Sequence, residues 1–192
     1  MSEQIRDGGG KGFLAIVNSE GKLNTKAISV EQRLHATVEK EYYEATTAVV
    51  TLTDADETPL IYIKNDDTSK VIVIDRIFFD SFESTGGSGS GKIRYYKNPT
   101  VTGGSAADVT NTNYESSLTA KATVTKSLTT MTGTAWWTGQ LSVSSSVALE
   151  EGRIVIPPGF SHGISIEAPG SNTSYDISIN IAFYQVDKED ID

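Results

Sequence analysis

Gly86, Gly91 and Lys92 stand at the spacing G-x-x-x-x-G-K inside the stretch STGGSGSGKIRYYKN, residues 84–98. That is the spacing of a loop that wraps phosphates in backbone N–H groups and reaches them with the lysine. The chemistry also needs Ser or Thr after the lysine, to hold magnesium, and a helix whose N-terminus faces the phosphates. Here Ile93 follows Lys92, and residues 93–97 (IRYYK) are β-prone and closed by Asn98 and Pro99. Residues 71–79 before it are also strand-like. The context predicts a hairpin with a Gly/Ser tip and no nucleotide site.

Two histidines, His35 and His162, are the next chemical candidates. Either could serve a Ser–His–Asp triad if a serine sat on a strained elbow of the form G-x-S-x-G. Residues 87–91, GSGSG, spell a near match without the helix that should follow. His162 falls in strand register with Ile164 and Ile166, which predicts packing at a sheet edge. Carboxylates cluster at Asp54, Asp56 and Glu57, and again at Asp66 and Asp67 beside Asn65. Oxygen-rich loops of this kind suit calcium. Neither follows the EF-hand ligand pattern, and Asp and Asn are ordinary turn residues. The chain has no cysteine, which excludes disulfides, thiolate catalysis and Cys-ligated zinc. These residues predict no enzyme, no cofactor and no resident metal.

Three aromatic doublets carry more: Tyr42 with Tyr43, Tyr95 with Tyr96, and Trp136 with Trp137. On a strand, adjacent side chains face opposite sides, so one ring of each pair should point inward and one outward. Outward Trp and Tyr are enriched at interfaces. They also offer a flat face to a sugar ring. Together with Ile5 these six are the candidate interface residues. The plainer alternative is a ring that stays singly exposed or lies under a loop.

The elements that must position these residues read as strands. Residues 13–17 (FLAIV), a turn ending in Gly21 and residues 22–29 form a first hairpin. Residues 49–53, 60–64 and 71–79 follow, the last apolar on both faces at its start and so predicted to be a covered central strand. Near the C-terminus, residues 153–156 run into Pro157, Pro158 and Gly159, and residues 162–168 alternate. Tyr175, Ile177, Ile179, Ile181 and Phe183 then alternate with polar or small residues, the pattern of a half-buried antiparallel strand. Residues 31–43 could be helical. Residues 100–148, rich in Ser, Thr, Gly and Asn, read as loops and short edge strands, with a candidate strand at 135–143. Residues 1–12, with Gly8, Gly9, Gly10 and Gly12, read as a flexible N-terminal arm before one domain at 13–192.

About eight main strands with frequent turns predict an all-β, antiparallel two-sheet β-sandwich, jelly-roll-like. The Cys and Trp markers of an immunoglobulin core are missing. A chain of 192 residues with 38% hydrophobic residues can bury a sizeable core. Its formal net charge of −9 argues against nucleic acid and anionic membrane as partners, since both are held by clustered Lys and Arg. The polar N-terminus predicts no signal peptide, and no segment approaches the ~20 apolar residues of a membrane-spanning helix.

Three stretches carry a likeness: GGGKGFLAIVNSEGKLNTKAIS, LIYIKNDDTSKVIVIDRI and RIVIPPGFSHGISIEAPGSNTSYDISINIAFYQVD. On these the chain resembles small structural proteins of tailed bacteriophages, over most of its length except residues 100–148. The resemblance implies a non-enzymatic virion component, a capsid decoration or auxiliary head protein or a tail or fibre accessory. It implies manufacture in the host cytoplasm, location in the virion, and a major capsid or tail protein as partner. A homo-oligomer is expected, with a trimer among the states allowed. No functional residue is carried over. The competing class is a carbohydrate-binding or host-recognition module of a phage tail or fibre. It would use Trp136 or Trp137, Tyr95 or Tyr96, and turn Asp and Asn groups.

Overall fold

The computed structural model describes residues 4–6, 14–17, 23–24, 41–52, 56–85, 90–142, 145–149, 154–168 and 174–188. The chain divides into two compact units, 1–31 and 32–192. The expected boundary at 12/13 lies outside the described residues. In the first unit, β1 (Gln4–Arg6), β2 (Leu14–Val17) and β3 (Leu23–Asn24) form a three-stranded antiparallel sheet in that order. Ile5 stands opposite Ala15, so part of the expected arm is a paired strand. A three-residue strand with one apolar residue gives no period to read, which is why only the glycines after it stood out.

The second unit holds β4 (Tyr42–Thr46), β5 (Val50–Leu52), β6 (Glu57–Asn65), β7 (Lys70–Thr85), β8 (Ser90–Lys97), β9 (Thr100–Ala106), β10 (Val109–Asn111), β11 (Ala122–Thr132), β12 (Ala135–Ser142), β13 (Ser145–Leu149), β14 (Ile154–Ile156), β15 (Ser161–Glu167) and β16 (Ser174–Asp187). One sheet runs β10-β4-β16-β7-β13, with β14 also on β7 and β5 also on β16. The other runs β12-β8-β15-β6-β11-β9. All pairings are antiparallel, and the two sheets pack face to face as an all-β sandwich.

The pairs nest. β8 lies beside β12, β7 beside β13 and β14, β6 beside β15, and β4 beside β16. A ribbon folded back on itself and rolled up gives this order, which is that of a jelly roll. Strands β9 to β11 interrupt the ribbon between β8 and β12 and extend both sheets at their edges.

The core follows from period-two alternation. Tyr175, Ile177, Ile179, Ile181 and Phe183 of β16 are all buried, as their alternation predicted. On β7, Ile72 and Ile74 face the same core as Ile77 and Phe79, so the inward phase changes between them. The cause is a register shift: Ala182 faces Arg76 while Phe183 faces Ile74, leaving Asp75 as the extra residue. Val71 and Val73 face the other way, into a second buried cluster with Tyr42, Ala182 and Tyr184. The strand is thus covered on both faces.

Two expectations need correction. The Gly/Ser stretch after β7 is not the tip of a hairpin. β7 and β8 belong to different sheets, so the link carries the chain across the sandwich. Residues 100–148 also contain a long strand, β11, which the sequence concealed. Its buried residues Val124, Leu128 and Met131 break period two because the register shifts between Leu128 and Thr130, beside Ser127 at φ 54°. The possible helix at 31–43 falls mostly outside the described residues, and Tyr42 and Tyr43 begin β4.

Candidate functional site

The G-x-x-x-x-G-K lysine is spoken for. Lys92 lies on β8 and pairs with Glu167 at 3.3 Å. Arg94, two residues on, bridges Glu167 and Glu57, the latter at 3.0 Å. The hydroxyls of Tyr96 and Ser165 donate to Glu57. Two cations thus meet two carboxylates on one sheet face. Gly86 lies outside the described residues, as do His35 and Asp54.

The second carboxylate cluster works as turn chemistry. Asp67 accepts from the Ser69 and Lys70 backbone N–H groups and from the Ser69 hydroxyl. Those backbone bonds hold its carboxyl well below the usual range. Asp66 accepts from Lys64 and Thr123. Among the described residues, no three His, Asp or Glu side chains converge as a metal site.

The aromatic doublets alternate as expected in two cases, but their outward rings are covered. Tyr43 and Tyr95 lie in the main core. Tyr42 and Tyr96 lie in separate clusters on the opposite faces, with Leu128 and Met131 around Tyr96. Tyr42 stacks on Tyr184 at 6.3 Å and donates to Asp75 at 2.7 Å.

The tryptophans break the rule of alternation. Ala135 faces Tyr96 and Trp137 faces Tyr95, so Trp136 is the extra residue of a β-bulge. Both indoles consequently reach Tyr95, at 5.9 Å and 4.7 Å between ring centroids. A Cβ at Gly139 would fall 2.1 Å from the Trp137 ring, so only glycine lets that indole lie along the strand. Trp137 packs on the core, while Trp136 stays 46% exposed.

Trp136 lines a cleft of about 410 Å³ where edge strands of the two sheets meet. β14 supplies Ile154 and Ile156, both buried. The start of β15 supplies Ser161 and His162, and the end of β8 supplies Lys97 with Asn98 beyond it. Phe160, 51% exposed, comes from the turn between β14 and β15.

That turn is built by its sequence. Pro158 presets φ at its second position, and Gly159 takes φ +78° at its third, the demand of a type II turn. The Phe160 N–H donates to Pro157 O at 3.1 Å and closes it. Asn65, at the end of β6, then ties the turn down. Its N–H donates to Phe160 O, its C=O accepts from Gly159 N, and its Nδ2 donates to Ile156 O at 2.8 Å. Across the cleft, Asn98 at φ 47° exchanges bonds with Ser161. The lining backbone is therefore fixed on both sides.

His162 is buried, on a strand paired on both sides rather than at a sheet edge. Its ring meets Tyr95 edge-on at 5.2 Å and Trp136 at 6.2 Å, an aromatic setting instead of a triad. Its Nε2 finds no hydrogen-bond partner. Burial pushes its pKa down from 6.5 to about 4, so the ring is neutral at pH 7. In the unfolded chain the ring binds a proton below about pH 6.5. Its contribution to stability is therefore intact above that pH and falls as pH drops toward 4. The full loss is roughly 3 kcal/mol. The ring resonances of His162 should titrate with a midpoint near pH 4. A midpoint near 6.5 in an NMR titration would mean that the ring is wet.

Sequence reading singled out Trp136 and His162 but not Phe160, Lys97 or Asn98. The Pro158–Gly159 turn signal was the one available pointer to Phe160. Comparison with protein-family models, curated proteins and solved structures finds no match to the chain.

Proposed function

We propose that the chain is a non-enzymatic structural protein of a tailed-phage virion, a capsid decoration or auxiliary head protein that acts as a homo-oligomer on a major capsid or tail protein. The observation that carries the reading is the nested jelly-roll strand order, on which the sequence resemblance converges. A two-sheet body with fixed turns suits repeated copies on a lattice, where each copy must present one shape. The titratable residues support the same reading. Lys92, Arg94, Glu57, Glu167, Asp66 and Asp67 bond to one another or to nearby backbone and hydroxyl groups.

The test is particle composition. Phage particles purified from cells making the tagged chain should carry it in a fixed ratio to the capsid or tail protein, and the free chain should sediment as an oligomer. A monomer at high concentration that is missing from purified particles would sink the reading.

A second reading has its own observation. The half-exposed rings of Trp136 and Phe160 line one cleft, as a carbohydrate-binding or host-recognition module of a tail or fibre requires.

A further inference from the structure

We infer that the cleft between β14 and the ends of β8 and β15 is a binding site for a neutral saccharide ring. The inference rests on the second reading above and does not depend on where the protein resides. Absence from particles would leave binding untouched, and absence of binding would leave the particle reading standing.

Size sets the first limit. At about 410 Å³ the cleft lies within the range of roughly 300–1,000 Å³ typical of small-ligand sites. It is too small for a folded partner and large enough for one or two sugar rings.

The lining then excludes ligand classes in turn. Among the described residues no Asp or Glu lines it, so a cationic ligand finds no counter-charge there. Among the described residues Lys97 is the one formal cation in the lining, on a chain of net charge −9. An anion would be drawn by the exposed Lys97 ammonium and repelled by the net charge of the molecule. A wholly apolar ligand would suit Trp136, Phe160, Ile154 and Ile156. It would desolvate Asn98 and Ser161 for no return.

A pyranose meets every term. Its C–H face is apolar and lies flat on an aromatic ring, as Trp136 and Phe160 offer. Its hydroxyls both donate and accept, so they can pair with the Asn98 amide and the Ser161 hydroxyl. Pre-organisation strengthens the case. The turn carrying Phe160 is held by Asn65, and Asn98 is bonded to Ser161, so little ordering is required on binding.

The experiment titrates the full chain with the methyl glycosides of glucose, galactose, mannose, rhamnose and N-acetylglucosamine and with their short oligomers. It is followed by amide NMR shifts and tryptophan emission. At least one neutral glycoside should bind saturably, with shifts centred on residues 97–98, 136 and 160–162. Trp136→Ala and Phe160→Ala should each weaken it about tenfold or more, with melting of the variants confirming the fold. Tyr114→Ala, at an exposed tyrosine outside the cleft, should change nothing. Three results would overturn the inference. One is no glycoside binding up to ~20 mM, with or without uptake of indole by the cleft. Another is binding that follows Tyr114 instead of Trp136. The third is binding confined to acidic sugars. Because shift mapping uses the unaltered chain, the inference stays falsifiable even if a variant fails to fold.

Discussion

Ile179→Ala should lower the free energy of unfolding by roughly 2–5 kcal/mol. Ile179 is fully buried at the centre of β16, opposite Phe79 on β7. Truncation removes three carbons from the core and leaves a cavity, whose cost depends on how far the surroundings collapse into it. Collapse is restrained here. The Ile179 N–H donates to the Thr47 hydroxyl at 3.0 Å, and its C=O accepts from the Thr47 N–H at 3.0 Å. With β7 on the other side, the backbone is held from both flanks, so the upper half of the range is expected. The check is a denaturant titration, in which the midpoint should fall with the slope unchanged. Val155→Ala, at a 40% exposed position on β14, is the companion and should change stability by less than about 0.5 kcal/mol. An Ile179→Ala loss that small would place the residue outside the core and the register of β16 in error.

How far this fold is legible in sequence can be judged strand by strand. β16 is legible because its bulge partner lies on the other strand. The extra residue, Asp75, sits in β7, so the alternation from Tyr175 to Phe183 runs unbroken. β7 reads as apolar on both faces because it has two covered faces, one toward the main core and one toward Tyr42 and Tyr184. β11 is illegible for the opposite reason, since its own register shift breaks the period and its remaining residues are Ala, Thr, Ser and Lys. The crossing between β7 and β8 could not be told from a hairpin, because a Gly/Ser link permits either course and carries no direction.

The cleft was hidden for a different reason. Its lining comes from β8, β12 and the consecutive pair β14 and β15, which the nesting brings together although β9 to β11 separate β8 from β12 and β13 separates β12 from β14 in the chain. Of its lining, Trp136 and His162 were singled out beforehand, but not the cleft that joins them. The exposure of Trp136 depends on the bulge that makes it the unpaired residue of β12. For the tyrosines, alternation was legible and exposure was not. Tyr42 and Tyr96 do face away from the main core, but buried neighbours on the far face of each sheet cover them.

Asn65 joins the fold to the cleft, and Asn65→Ala should cost roughly 2–4 kcal/mol. The residue is fully buried. Its Nδ2 donates to Lys70 O at 2.9 Å and to Ile156 O at 2.8 Å, and its Oδ1 accepts from the Asp67 N–H at 3.0 Å. Leaving a buried polar group unpaired costs about 1–3 kcal/mol each, and water entering the turn should recover part of the sum. Asn65→Asp separates hydrogen bonding from packing, because it keeps the size and loses both donors. At pH 7 a buried carboxylate would then face two carbonyl oxygens beside the Asp67 carboxylate, so this variant should be less stable than Asn65→Ala. Burial and these neighbours raise the pKa of the new carboxyl above its unfolded value. Its destabilisation is therefore full above the folded pKa and shrinks as pH falls through it, when the protonated acid regains one O–H donor. The stability gap between Asn65→Asp and Asn65→Ala should narrow on acidification. Because Asn65 also holds Phe160 and Ile156 by backbone and side chain, both substitutions should shift the amide resonances of residues 156–162. A loss below about 0.5 kcal/mol in Asn65→Ala, or a gap to Asn65→Asp that widens toward low pH, would show that the turn holds its place without this side chain.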